Sequence, residues 1–133
     1  MKIEEYDKLQ KFENSYQIAI DFDGVIHGNS KGFYDGTIYD PPVEGSIAAI
    51  KWFKSKGYDI VLFTAKVKPD RPLVKNKTGE ELIWEWLRKY EVDNFIKEIT
   101  CEKPRAICYI DDKAIRFDSW KKTLEKFNEI IHN

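Results

Sequence analysis

The chain has 133 residues, 42% hydrophobic and 14% aromatic, with a formal net charge of −1. That length supports one domain, 1–133, with a real core, and the composition excludes a disordered chain. The near-neutral charge argues against a protein that binds nucleic acid over its whole surface, and no stretch approaches the roughly 20 apolar residues of a membrane span.

The start, Met1-Lys2-Ile3-Glu4-Glu5-Tyr6-Asp7, lacks the apolar centre of a secretion signal. Cys101 and Cys108 show no Cys-x-x-Cys spacing and no partner histidines, which speaks against zinc and for reduced thiols in a cytoplasmic protein.

In chain order, Ile3, Tyr6, Leu9 and Phe12 recur three apart, which predicts a short N-terminal helix or docking arm over 1–13. Strand one is expected over Tyr16–Phe22, carried by an apolar run. A polar, glycine-rich stretch follows from Gly24 to Asp40, too long for an ordinary connector. Pro41-Pro42-Val43 opens a helix expected to reach Lys56, with Ile47, Ile50 and Phe53 as its stripe and Gly57 as its stop. Strand two spans Tyr58–Phe63 and ends at Thr64. A loop covers Ala65–Lys77. Thr78-Gly79-Glu80-Glu81 reads as a capping box, and Leu82, Ile83, Trp86, Leu87 and Tyr90 repeat at helical spacing behind it. Trp84 and Trp86 are two apart, so they cannot both face a core. Strand three is expected at Phe95–Ile99 and strand four at Ala106–Ile110. The last helix is expected from about Ser119 to Ile131, burying Trp120, Leu124, Phe127 and Ile131. The alternation predicts an α/β domain with a mostly parallel sheet, covered on both faces, in a three-layer Rossmann-like plan with right-handed crossovers.

A parallel sheet gathers the carboxyl ends of its strands on one edge, where open α/β folds place their sites. Asp21-Phe22-Asp23-Gly24, Thr64 and Asp111-Asp112 all stand at such ends. Side chains at i and i+2 leave a strand on the same side. Asp21 and Asp23 therefore project together, and two carboxylates that close repel unless a divalent metal or a shared proton lies between them.

Four elements now stand in order: Asp21-Phe22-Asp23-Gly24-Val25, Val61-Leu62-Phe63-Thr64, Lys103 in Glu102-Lys103-Pro104-Arg105, and Ile110-Asp111-Asp112. Their order and strand context resemble the haloacid dehalogenase superfamily of phosphohydrolases, over residues 18–112. The resemblance implies Asp21 as the nucleophile that forms an aspartyl-phosphate, and Asp23 as the acid and then base for the leaving group and water. It implies that Thr64 and Lys103 hold the phosphate. It implies a magnesium (Mg2+) site built from the Asp21 carboxylate, the Asp23 backbone carbonyl, Asp111 and Asp112. Dehalogenase members lack an acid at the position of Asp23, so its presence favours phosphate ester cleavage. Many relatives carry another acid four residues after the first acid of the last motif. Here that position is Ile115 and the adjacent pair stands instead, which leaves open which of Asp111 and Asp112 touches the metal. Phosphorylation receiver domains use similar residues, but their phosphoacceptor Asp ends a middle strand before the Thr, and strand two here ends in Thr64 without one.

The 24–40 stretch is too short to fold as a cap domain, and 65–102 is already filled by a loop, a helix and a strand. A capless enzyme with an open site follows. Its substrate is a phosphorylated small molecule or polymer end, nucleic acid entering only as such a substrate, and its oligomeric state is left open. Loops 24–40 and 65–77 would rim the site. The second carries five basic residues, of which Lys66, Lys68 and Arg71 are expected to attract an anionic substrate; His27, read as a surface histidine, is a further candidate contact. The competing class is a phosphate- or metal-binding module of the same fold without turnover.

Overall fold

The apolar run Ile18-Ala19-Ile20 forms the buried centre of β1 (Gln17–Asp21). The computed structural model describes residues 16–132, so the arm expected over 1–13 lies outside the described residues. β1 pairs with β2 (Asp59–Phe63) on one side and with β4 (Cys108–Ile110) on the other. β3 (Ile96–Thr100) pairs with β2. The four strands form an all-parallel sheet in the order β3-β2-β1-β4. Among the described residues three α-helices accompany it: α1 (Ser46–Ser55), α2 (Gly79–Lys89) and α3 (Trp120–His132). The chain is therefore α/β, as the alternation predicts. Among the described residues no helix is long and apolar enough to cross a membrane.

α1 starts at Ser46, not at the proline pair. Pro42 is instead drawn into a bridge with His27, and the Val43 N–H donates to the Ile26 carbonyl at 2.8 Å. The prolines serve an extended segment, which their fixed backbone also suits. The helix end is as read. Gly57 N–H bonds the Lys54 carbonyl, Tyr58 N–H bonds the Phe53 carbonyl, and the Phe53 and Tyr58 rings pack 6.5 Å apart. This is a Schellman stop with its apolar contact. α2 carries the expected capping box, Thr78 Oγ1 accepting the Glu81 N–H and Glu81 Oε1 accepting the Thr78 N–H.

The core joins Ile18, Ile20 and Phe22 of the first strand and turn to Ile50 of α1, Leu62 of β2 and Leu87 of α2. Trp86 is buried and Trp84 only partly so. α3 corrects an expectation. The helix is present, but its stripe is not buried: Trp120 is 69% exposed, Leu124 59%, Phe127 51% and Ile131 55%. Cys108 and Tyr109 of β4 are exposed as well, so among the described residues this end of the sheet is not covered on both faces. Helical periodicity encodes an apolar face but not what covers it, and a three-residue edge strand offers little surface to cover. Truncating fully buried Leu87 to Ala is expected to cost about 2–5 kcal/mol, against less than about 0.5 kcal/mol for Leu124→Ala. Urea midpoints measure both, and equal losses would mean that the α3 stripe is covered in solution.

Candidate active site

The sheet register places the site. Asp21 pairs with Phe63 and Ile20 with Ile110, so β1 and β2 end level and β4 ends one residue short of them. The next residues along β2 and β4 are Thr64 and Asp111. After β1 the chain doubles back at once. The Phe22 carbonyl accepts from both Ile26 N–H and His27 N–H, and Gly24 N–H donates to the His27 carbonyl at 2.8 Å. This turn carries Asp23 round and brings His27 beneath it. Gly24 has φ +87°, and a Cβ on it would lie 2.4 Å from Asp112 Oδ2. Glycine is thus required both for the turn and for the close approach of Asp112.

The site has two halves. In the first, carboxylate oxygens of Asp21, Asp111 and Asp112 lie within 4.8 Å of one another. Burial, then the charges of Asp111, Asp112 and Asp23, push the Asp21 carboxyl up from its ordinary 3.8 to about 7. Asp111 Oδ1 also accepts the Lys113 N–H at 2.8 Å.

The second half is built around Asp23. Its Oδ1 accepts from Lys66 Nζ at 2.8 Å and from His27 Nδ1 at 3.0 Å; its Oδ2 accepts from Thr64 Oγ1 at 3.0 Å. Burial raises the Asp23 carboxyl, but the His27 and Lys66 hydrogen bonds, the Lys66 charge and the Thr64 hydroxyl outweigh it and hold the group below the usual carboxylate range. His27 Nε2 accepts the Asp40 backbone N–H at 3.0 Å, so the ring proton stands on Nδ1, facing Asp23.

Two sequence expectations are overturned here. His27 is not a surface histidine: it is fully buried, stacked on Phe22 with centroids 5.5 Å apart and edge-on to Tyr39 and Trp86. Lys66, expected on the rim loop to attract an anionic substrate, is instead drawn inside the site. It is 7% exposed and bound to Asp23, because a 3-10 turn (Ala65–Val67) follows β2 and tucks it back under Thr64. Thr64 Oγ1 accepts the Lys66 N–H at 3.2 Å and so stabilises that turn. Spacing carried a faint signal for both. Asp23 and His27 are four apart around a glycine turn, and Lys66 is two residues beyond a strand-end threonine.

Lys103 is exposed, its Nζ 4.5 Å above the Tyr109 ring, and among the described residues the lysine bonded to Asp23 is Lys66. Lys68 and Arg71 line a cleft of about 400 Å3 together with Thr78, Gly79, Thr100 and Cys101. The cleft adjoins the site, since Thr64 N–H bonds the Thr100 carbonyl at 3.0 Å. The Arg71 guanidinium packs over Phe33 at 5.2 Å, tying the two rim loops together.

Comparison of the chain with known protein families, curated proteins and solved structures found no match.

Proposed function

We propose that the protein is a magnesium-dependent, capless phosphohydrolase of haloacid dehalogenase type, built on a three-layer Rossmann-like plan. One observation carries this reading: at a single edge of a parallel sheet, Asp21 stands in a three-carboxylate cluster while Asp23, two residues on, faces three hydrogen-bond donors. Two carboxylates with different surroundings can take different chemical roles.

Asp21 attacks the phosphorus of a monoester, and the bond to the leaving oxygen breaks as the Asp21–phosphorus bond forms. The leaving oxygen takes a proton from Asp23, which must first gain that proton from water, because His27, Lys66 and Thr64 hold its carboxyl ionised in the free site. Water then attacks the aspartyl-phosphate and gives its proton to Asp23; the Asp21–phosphorus bond breaks and inorganic phosphate leaves. Thr64 stands beside this path with its hydroxyl on Asp23. Asp21, Asp111 and Asp112 are the residues that would hold Mg2+, an all-oxygen donor set of the kind a hard cation takes. Bound there, the ion would offset phosphate charge against the carboxylates. Lys68 and Arg71, on the cleft beside Thr100, would hold the rest of an anionic substrate.

The test is phosphate release from p-nitrophenyl phosphate, sugar phosphates, nucleotides and end-phosphorylated oligonucleotides, with and without Mg2+. Metal-dependent release is the expected result. Silence across the panel, in folded protein that binds Mg2+, would leave a binding module instead. Within an active panel, Arg71→Ala is expected to raise KM for the more highly charged substrates several-fold and to flatten its salt dependence. An unchanged KM would remove the cleft from the substrate path.

A further inference from the structure

We infer that Lys66 and His27 are positioning residues that fix the Asp23 carboxyl in the one orientation that reaches the leaving oxygen. The inference rests on the phosphohydrolase reading.

Lysine is almost never buried without a partner, and Lys66 at 7% exposure has Asp23 as its ion-pair partner. Both donors are themselves held. The Lys66 backbone is pinned by Thr64 Oγ1 on one side and by Gly79 on the other, where a Cβ would lie 1.9 Å from the Lys66 carbonyl oxygen. His27 is held between aromatic rings, and its second nitrogen is tied to the Asp40 N–H. The Asp40 carbonyl in turn accepts from Trp86 Nε1 at 2.9 Å. α2 therefore supports both donors, through its first residue Gly79 and through Trp86. Three donors on two oxygens leave Asp23 one orientation, and groups that deliver protons in catalysis need such support. Stability alone does not call for this arrangement, because buried ion pairs are often replaceable by apolar side chains at no loss.

A purely structural role and a positioning role separate on the leaving group. p-Nitrophenolate departs without a proton; a simple alkoxide does not. Lys66→Met is expected to lower kcat for an alkyl phosphate such as glycerol phosphate by about a hundredfold, against less than about tenfold for p-nitrophenyl phosphate, with KM little changed. Lys66→Arg is expected to recover most of the alkyl-phosphate rate. Circular dichroism checks the fold, and if Lys66→Met unfolds, His27→Gln carries the same comparison. Equal losses on both substrates, or a loss confined to KM, would overturn the positioning role while leaving the phosphohydrolase intact. Wild-type protein that turns over neither substrate would overturn both.

Discussion

Asp21→Asn is expected to abolish phosphate release, by at least about a thousandfold, while making the metal-free protein more stable above pH 7. The two effects share one cause. Asp21 is the carboxyl that the mechanism needs charged, and it is also the one that burial and the charges of Asp111 and Asp112 push up to about 7. Between pH 4 and 7 the folded protein holds a proton on Asp21 that the unfolded chain has released. Folding stability from this group therefore falls as pH rises through that window and stays low above it. The full shift would correspond to about 4 kcal/mol, but Asp21 is only partly buried, and solvent screening reduces the expected gain in Asp21→Asn to about 1–2 kcal/mol. Asp23 has the opposite sign. Its carboxyl is held below the usual range, so its contribution is present above about pH 4 and is lost on further acidification. Thermal melts at pH 5 and 8 measure the difference, with the gain of Asp21→Asn expected at pH 8. A variant that still releases phosphate, or one with an unchanged difference between the two pH values, would sink the assignment of Asp21. Added Mg2+ is expected to stabilise the wild type at pH 8 and to do so less for the variant.

Much of this architecture was legible because it is encoded locally. The strand centres at Ile18–Ile20 and Ile60–Leu62 are apolar runs, the capping box is a four-residue pattern, and the stop at Gly57 rests on short-range bonds, Gly57 N–H to the Lys54 carbonyl and Tyr58 N–H to the Phe53 carbonyl. The convergence of Asp21, Thr64 and Asp111 follows from strand ends alone, once the sheet is parallel. The misreadings concern tertiary surroundings, which local pattern does not encode. Pro42 pairs with His27, Lys66 reaches back 43 residues to Asp23, and the α3 stripe buries no residue among the described ones. A lysine in a basic loop reads as solvated until its backbone turn is known, and a single histidine carries no mark of burial. The clamp on Asp23 therefore left only a faint trace in the sequence, the spacing of His27 and Lys66 from the motif residues Asp23 and Thr64.

Gly79→Ala tests the link between α2 and that clamp. By propensity alone alanine should favour a helix, since glycine is worse by about 1 kcal/mol in a helix interior. The surroundings of Gly79 reverse the sign. An added Cβ would lie 1.9 Å from the Lys66 carbonyl oxygen and 2.7 Å from its carbon, and both are backbone atoms that cannot rotate aside. The start of α2 must move off, or the 3-10 turn that holds Lys66 must. Either displacement costs about 2–4 kcal/mol, the range of overpacking in a close-packed contact and somewhat beyond. Glu80→Ala, one residue along and exposed, is the matched control and is expected to stay within about 0.5 kcal/mol of wild type. Because Lys66 Nζ is 2.8 Å from Asp23 Oδ1, the same displacement should reach the carboxyl. Alkyl-phosphate turnover is then expected to fall further in Gly79→Ala than p-nitrophenyl phosphate turnover, measured where the variant is still folded. A Gly79→Ala protein with the wild-type urea midpoint and an unchanged ratio of the two rates would mean that α2 can sit clear of Lys66, and that Asp23 is held without it.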